Sequence, residues 1–327
     1  MNILVTGGSG FIGSNLINLI LRSSDHKVFN IDKLSYASNE DFNPSSDDNY
    51  NFYNIDLCDR ESLKRIISSI DPEIVYHLAA ETHVDNSIAS PDEFIRSNII
   101  GTFNLLEALR ENNSEASGRL KKIIHISTDE VFGDNDQYVN EEDRYEPSSP
   151  YSASKASSDH LVTAWGRTFS LPVIVTNCSN NFGPNQNKEK FLPKVIISFI
   201  KGLKIPVYGN GQQSRDWLFV EDHVRALKLI GEKGTIGEKY NISSMINHTN
   251  LEMIGLIEKV LNEINPSIYP KKEDLITHVE DRFGHDVSYK LDSSKIKKEL
   301  NWLPNTNIEK NLNSTINWYL KNLKRLT

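Results

Sequence analysis

Tyr151 and Lys155 stand four residues apart in Tyr-Ser-Ala-Ser-Lys, at the start of a predicted helix. That spacing puts both side chains on one helix face. An ammonium beside a phenol lowers the phenol's pKa, and a phenolate accepts a proton from an alcohol as hydride leaves its carbon. Taken alone, Tyr-x-x-x-Lys is also what a surface helix shows. Upstream, Ser127-Thr128-Asp129-Glu130-Val131-Phe132-Gly133 follows an apolar strand. Adjacent carboxylates at such a place form an acid–base couple if their surroundings split their pKa values. An isolated Asp-Glu step is equally an exposed acidic turn. Its place between a glycine turn and Tyr151 favours the chemical reading, because strand C-termini in open α/β sheets face the ligand crevice.

The glycine turn is Gly7-Gly8-Ser9-Gly10-Phe11-Ile12-Gly13, between the first strand and the first helix. Gly7, Gly10 and Gly13 give a Gly-x-x-Gly-x-x-Gly spacing. Turn positions without side chains let a pyrophosphate approach the backbone, and the helix N-terminus supplies N–H donors and positive dipole. A tight strand–helix turn needs glycine too, but here strand, turn, helix and a later acid agree. The acid, Asp32, ends the second strand. A carboxylate there accepts hydrogen bonds from a ribose diol and repels a 2′-phosphate, which points to NAD rather than NADP. Lys33 softens that preference, and a carboxylate that merely ends a strand is the plainer alternative. The cationic nicotinamide ring would add to the effect of Lys155 on Tyr151.

These residues need a scaffold, and the first half of the chain supplies a legible one. Apolar, β-branched runs occur at 2–6, 27–32, 51–56, 73–79, 121–127 and 172–178, most of them separated by amphipathic helical stretches. Leu63, Ile66, Ile67 and Ile70 recur at helical spacing, and Ser90-Pro91 reads as the cap and first residue of a helix to about Asn112. Continuous apolar strands alternating with helices predict a Rossmann-type, doubly wound parallel α/β sheet. The second half carries more turn signals and two helical stretches, 250–264 and 308–323. It predicts a smaller mixed α/β substrate lobe. The expected division is 1–178 for the dinucleotide and 179–327 for the substrate, with the chain re-entering the first lobe around 217–235.

At 327 residues the chain is long enough for a sizeable core. Its net charge of −8 argues against nucleic acid or an acidic membrane as the main partner. No apolar run is long enough to span a bilayer, and no charged-then-apolar leader opens the chain. Cys58 and Cys178 read as free thiols rather than a disulfide or metal pair. A cytoplasmic enzyme without a metal is expected.

Taken together, the motifs resemble the extended short-chain dehydrogenase/reductase superfamily and, within it, the dTDP-glucose 4,6-dehydratases. The resemblance rests on 7–14, 32–37 (Asp-Lys-Leu-Ser-Tyr-Ala), 77–88 (His-Leu-Ala-Ala-Glu-Thr-His-Val-Asp-Asn-Ser-Ile), 127–133, 151–156, 176–184 (Thr-Asn-Cys-Ser-Asn-Asn-Phe-Gly-Pro), 215–223 and 281–286, in the family's order over nearly the whole chain. The Asp129-Glu130 pair discriminates most, since epimerases and decarboxylases of the superfamily lack it as a rule. The resemblance implies a cycle. Tyr151, supported by Lys155 and Thr128, takes the glucosyl 4-OH proton while the C4 hydride goes to NAD⁺. Glu130 then removes the C5 proton, Asp129 protonates the departing 6-OH, and the hydride returns to C6. A hydroxyl β to a ketone is a feasible leaving group, whereas one β to an alcohol is not.

The same resemblance implies cofactor contacts at Gly7, Gly10, Phe11, Ile12, Gly13, Asp32, Lys33, Leu34, Ser35, Asp56, Leu57, Leu78, Ala79, Ala80, Thr82, Ser97, Tyr151, Lys155 and Asn181. It implies diphosphate anchors at Asn180, Arg215, Asn250 and Arg282, Arg having the fixed fork of donors suited to that task. Thr82, Thr128 and His285 join the substrate contacts, and Lys190, Phe191, Pro206, Val207 and Tyr208 resemble a base and ribose pocket. The chain departs from the family at Phe191, Phe283, Ser288 and Ser243-Ser244, all in the second half. The substrate implied is a nucleotide-diphosphosugar, with a homodimer formed by helices 92–112 and 152–169. UDP-glucose dehydration, or a UDP-sugar epimerase or decarboxylase, is the alternative. A cofactor-loaded module without turnover is disfavoured by the intact Tyr151, Lys155, Asp129 and Glu130.

Overall fold

The computed structural model describes residues 1–39, 42–115, 118–266, 268–281 and 286–326. In strand β1 (Asn2–Thr6) Ile3 and Val5 enter one core while Leu4 enters another, as the two-residue period of a strand requires. Helix α1 (Phe11–Ser23) follows the glycine turn and buries Leu16, Ile17 and Ile20 against the first of these cores. Strands β2 (Lys27–Asp32) and β3 (Tyr50–Asn54) come next. Helix α2 (Arg60–Ile70) is capped by the Asp59 carboxylate, which accepts from Ser62 N at 3.2 Å. It buries Leu63, Ile67 and Ile70 on the opposite face of the sheet from α1. Strand β4 (Ile74–His77) is followed by the short helices α3 (Val84–Ala89) and α4 (Pro91–Phe94).

Beyond α4 the chain makes a wide π turn at Ile95–Ile100 and then runs into α5 (Gly101–Glu115). The predicted helix from Ser90-Pro91 is therefore present but interrupted, and the Ser90 side chain makes no capping bond. Strand β5 (Lys122–Thr128) leads into a single 3₁₀ turn at Asp129–Phe132. Helix α6 (Pro150–Phe169) opens on a reciprocal Ser149–Ser152 cap with Pro150 at its first position. Strand β6 (Val173–Cys178) completes the strands read from sequence.

The second half begins with β7 (Asn180–Phe182), α7 (Phe191–Lys201), β8 (Ile205–Tyr208), β9 (Ser214–Phe219) and α8 (Val220–Lys233). It continues through β10 (Lys239–Ile242), β11 (Asn247–Thr249), α9 (Asn250–Ile264), α10 (Lys272–Leu275), β12 (Ile276–Val279), α11 (Ser294–Leu300) and α12 (Ile308–Leu326). Seven parallel strands form the main sheet in the order β3-β2-β1-β4-β5-β6-β10. The order reverses between β1 and β4, and ligands bind at such a switch point. Helix α8 packs Val224, Leu227 and Ile230 into the core shared with α1, and Tyr240 and Ile242 of β10 join it there. Strand β10 is a sheet member with no legible signature in the sequence.

A separate core gathers α7, α9 and α12 around the parallel β8–β12 pair, with Phe199, Ile257, Leu261 and Tyr319 fully enclosed. Each such enclosed side chain contributes ~1.5–3 kcal/mol of transfer free energy. A small three-stranded sheet, β11-β9-β7, lies at the junction of these regions. Among the described residues no helix is long and apolar enough to cross a membrane.

Candidate active site

A cavity of about 300 Å³ opens where the C-terminal ends of β1, β2, β4, β5 and β6 converge. Its floor is the glycine turn. A Cβ on Gly7 would lie 2.6 Å from Ala79 N, and one on Gly13 would lie 2.3 Å from Gly7 O. Those two glycines are fixed by the chain's own packing. Gly10 differs: a Cβ there would meet only Gly7 O, at 3.3 Å, and the residue lines the cavity. Gly10 caps α1 without a side chain, so the first turn's N–H groups receive no side-chain cap. Phe11 and Ile12, in that turn, line the cavity as well. A cradle of this kind suits a pyrophosphate.

Asp32 lines the same cavity at the end of β2. Its carboxylate accepts from Ser9 N at 3.0 Å, Leu34 N at 2.8 Å and Ser38 Oγ at 3.1 Å, which fixes it in place for a diol. Leu34 is consequently not a wall residue. It adopts a positive φ of 56° and contributes its N–H to Asp32. Lys33 pairs with Glu81 at 2.9 Å and donates to Ser97 Oγ at 2.8 Å, both across the cavity rim. Ser35, Asp56, Leu57, Leu78, Ala79, Ala80, Thr82, Ser97 and Asn181 complete the predicted cofactor wall. The donor set and the open Gly10 fit a dinucleotide.

The catalytic candidates meet on the opposite wall: Thr128, Asp129, Glu130, Tyr151 and Lys155 all line the cavity. Elements far apart in sequence bring them there. The 3₁₀ turn after β5 starts with Thr128 as its cap, accepting from Glu130 N at 3.3 Å. The first turn of α6 carries Tyr151, whose N–H donates to Ser87 Oγ at 3.2 Å and so docks α6 on α3. Asp129 is buried, and its Oδ1 accepts from Thr128 Oγ1 at 3.0 Å, while Oδ2 has no hydrogen-bond partner. Burial, and then the neighbouring Glu130 charge, push its pKa up to about 8. At neutral pH it is a protonated acid with its free oxygen at a cavity wall.

One expectation needs correction. Lys155 was expected to lower the Tyr151 pKa. In the structure burial, followed by the Glu130 charge and Cys178, holds the phenol well above its ordinary value, and the Thr128 hydroxyl only partly opposes this. The Lys155 ammonium donates at 2.8 Å to the Ile126 carbonyl instead. In the protein alone Tyr151 is a neutral phenol.

Of the predicted substrate contacts, Thr82, Thr128, Asn180 and Lys190 line the cavity. Asn180 Oδ1 is buried without a partner, and Lys190 Nζ reaches across to Thr82 O at 2.9 Å. The other described ones lie off its wall. Phe191 packs on Trp217 with ring centroids 5.9 Å apart. Val207 is enclosed in the second core, where β8 alternates inward and outward, leaving Pro206 and Tyr208 half-buried. Asn250 begins α9 and donates its N–H to Gln213 O at 3.1 Å. Arg215 is buried, donates to the carbonyls of Ser214, Asp286 and Val287, and stacks 4.5 Å above the Tyr289 ring. Arg282, Phe283 and His285 lie outside the described residues. Conversely, Glu81, Ser127, Cys178, Gln186, Asn187 and Glu189 line the cavity without having been singled out. Their signal was position: Glu81, Ser127 and Cys178 lie inside the matched 77–88, 127–133 and 176–184 stretches, and Gln186, Asn187 and Glu189 just past the last of these.

Comparison with known proteins agrees with this arrangement. Residues 4–315 match the family model described as GDP-mannose 4,6 dehydratase. A dTDP-glucose 4,6-dehydratase from Neisseria gonorrhoeae is 49% identical over 99% of this chain and 97% of its own length. Another, from Escherichia coli K12, is 46% identical over 99% of this chain and 94% of its own. Among solved structures, the Streptomyces venezuelae dTDP-glucose 4,6-dehydratase, determined with NAD bound, superposes with a TM-score of 0.92 at 34% identity, covering 99% of this chain and 98% of that one. A UDP-glucose 4-epimerase from Thermotoga maritima reaches 0.89 at 30% identity, covering 99% and 100%. Overall shape alone therefore does not separate dehydratase from epimerase; the higher-identity relatives do. The chain belongs to the GDP-mannose 4,6-dehydratase family and, within it, to the dTDP-glucose 4,6-dehydratases.

Proposed function

We propose that the protein converts dTDP-glucose to dTDP-4-keto-6-deoxyglucose and water. The observation that carries this reading is the protonated, buried Asp129, whose unpartnered Oδ2 belongs to the cavity that Tyr151 and Glu130 line. An oxidation–reduction site needs a Tyr–Lys pair; elimination additionally needs an acid that still holds its proton at neutral pH.

NAD bound on the glycine turn and Asp32 supplies hydride acceptance and return, so the net reaction consumes no reductant. The chain's own groups do the rest. Tyr151, as a phenolate that Lys155, Thr128 and a bound cationic nicotinamide would stabilise, takes the proton of the 4-OH and becomes the phenol; that proton makes good, through solvent, the one Asp129 gives up later in the turnover. Once C4 is a ketone, Glu130 removes the acidified C5 proton and Asp129 protonates the 6-OH, which leaves as water. Glu130 finally returns its proton to C5. Asn180 and Lys190 hold the sugar-nucleotide end, with Arg215, Asn250 and Arg282 on the diphosphate and Phe191, Pro206, Val207, Tyr208 and His285 toward base, ribose and sugar. In this reading residues 1–178 and the 217–235 re-entry hold the dinucleotide, and 179–327 hold the sugar nucleotide.

A homodimer completes the proposal. It is supported by exposed apolar side chains on and beside the proposed pairing helices: Ile95 (46% exposed), Ile100 (44%) and Phe169 (44%). A cytoplasmic location accords with two free cysteines. The direct test is turnover of dTDP-glucose beside UDP-glucose with product masses recorded. Loss of one water from dTDP-glucose is expected. A product of unchanged mass would indicate epimerisation, and faster dehydration of UDP-glucose would reassign the base.

A further inference from the structure

Behind the cavity wall, on the buried side of α6, lies a polar cluster that the reaction scheme does not use. Asp159 follows Lys155 by one helical turn, and both are buried. Lys155 lines the cavity, whereas Asp159 does not. An ammonium removed from water needs a counter-charge, since burying it alone costs several kcal/mol. The direct hydrogen bond of Lys155 goes to a neutral carbonyl, at 2.8 Å; burial pulls the ammonium's pKa below the ordinary lysine value, and the Asp159 charge one helical turn on opposes this.

The Asp159 carboxylate is itself held by β5. His125 Nε2 lies 3.0 Å from Asp159 Oδ1 and 3.3 Å from Ser158 Oγ. Ser158 donates its own proton to Lys155 O at 2.8 Å, so its oxygen is left to accept. His125 Nε2 therefore carries the proton, and Nδ1, buried without a partner, does not. Burial lowers the His125 pKa and keeps the ring neutral. Burial alone would push Asp159 up, but the hydrogen bond from His125 and the Lys155 charge oppose it, and the carboxyl is held below its ordinary pKa and ionised. Asn177 Nδ2, 3.1 Å from Thr128 O and 3.5 Å from Asp159 Oδ2, ties the cluster to the residue before Asp129. The other titratable groups facing it are Tyr145 ahead of α6, His77 on β4 and Cys178 on β6.

We propose that Asp159 is a positioning residue for the reaction: its carboxylate, oriented by neutral His125, is the counter-charge that keeps Lys155 an ammonium beside Tyr151. Asp159 acts through Lys155 and touches neither substrate nor dinucleotide. The proposal rests on the dehydratase reading for the use of Lys155, but not for the influence of the Asp159 charge on it.

The test uses the full chain with its dinucleotide bound and lysine labelled with ¹³C at Cε, the Lys155 signal being assigned from Lys155→Met. In wild-type protein Lys155 remains an ammonium at pH 7. In Asp159→Asn its titration falls by about one pH unit or more. The alkaline limb of kcat falls with it, while KM for dTDP-glucose stays within about twofold, the residue being outside the cavity. His125→Asn leaves the carboxylate charged and moves the Lys155 titration by less than half as much. An unmoved Lys155 signal in Asp159→Asn, or an equal shift in both variants, overturns the proposal. So does a wild-type Lys155 already neutral at pH 7, a reading that needs no variant to fold. Absence of wild-type turnover would sink the proposed reaction and leave the titration readable, so the two fail separately.

Discussion

Replacing Asp129 by Asn should stabilise the protein while disabling it. The side chain is buried, and its pKa stands at about 8 against an ordinary 3.8. Between those values the folded protein holds a proton that the unfolded chain releases. Folding therefore becomes harder as pH rises through that window and levels off above it. At pH 7 the gap from an ordinary aspartate is about 3 pH units, and at ~1.4 kcal/mol per unit the ceiling is roughly 4 kcal/mol. Dielectric relaxation around a buried charge brings the expectation to about 1–3 kcal/mol. Asn keeps the shape and the acceptor for Thr128 Oγ1, and it does not titrate. The assay is thermal denaturation of wild type and variant, both with or both without dinucleotide, from pH 4 to 9. The variant's advantage should be near zero at pH 4, grow to several degrees of melting temperature by pH 7 to 8, and then stay flat. Dehydration should meanwhile fall by about 10²–10⁴, the usual contribution of a positioned acid. A stability gap that ignores pH, or that widens toward acid, would refute the assignment of Asp129 as a proton-holding group.

Glu130→Gln should block C5 deprotonation yet still allow transient dinucleotide reduction in a single turnover, whereas Tyr151→Phe should suppress that first oxidation; stopped-flow absorbance distinguishes them, and equal loss of both steps in Glu130→Gln would contradict its role. Gly13→Ala places a Cβ 2.3 Å from Gly7 O and 2.7 Å from Gly8 Cα, both backbone atoms. It should cost about 1–3 kcal/mol of stability and weaken dinucleotide binding together, as denaturation and calorimetry would show.

The parallel strands were readable because burial on both faces forces unbroken apolar runs: Ile3-Leu4-Val5 and Ile123-Ile124 feed two cores at once. The glycine turn was readable because close backbone approach leaves no other residue type. Strand β10 escaped because four residues, Lys-Tyr-Asn-Ile, carry too little pattern to tell a sheet edge from a loop. The inward turn of the Val207 side chain was not readable, because inward and outward positions of β8 depend on its pairing with β12, more than 60 residues away. The sign of the Tyr151 shift was missed for a related reason. Helical spacing places Lys155 on the right face, but whether its ammonium reaches the phenol or the Ile126 carbonyl depends on how deeply α6 sits on β5. The His125–Asp159 pair, separated by 34 residues, has no local signature at all.

The wide turn at Ile95–Ile100 has a consequence for length variation. Before and within it, Phe94 is buried, Ser97 meets Lys33, and Asn98 grips both backbone groups of Glu81. After it, Thr102 meets His77 and Asn104 meets Leu57 O. A π turn spends roughly one extra residue on the arc an α turn covers, so the added residue is absorbed without turning the downstream helix out of phase. Deleting one residue there would restore ordinary winding with Thr102 and Asn104 still facing the sheet, while the rim contacts of Ser97 and Asn98 would have to be rebuilt. Loss of one residue in this stretch should consequently spare the fold and be felt at the cavity rim.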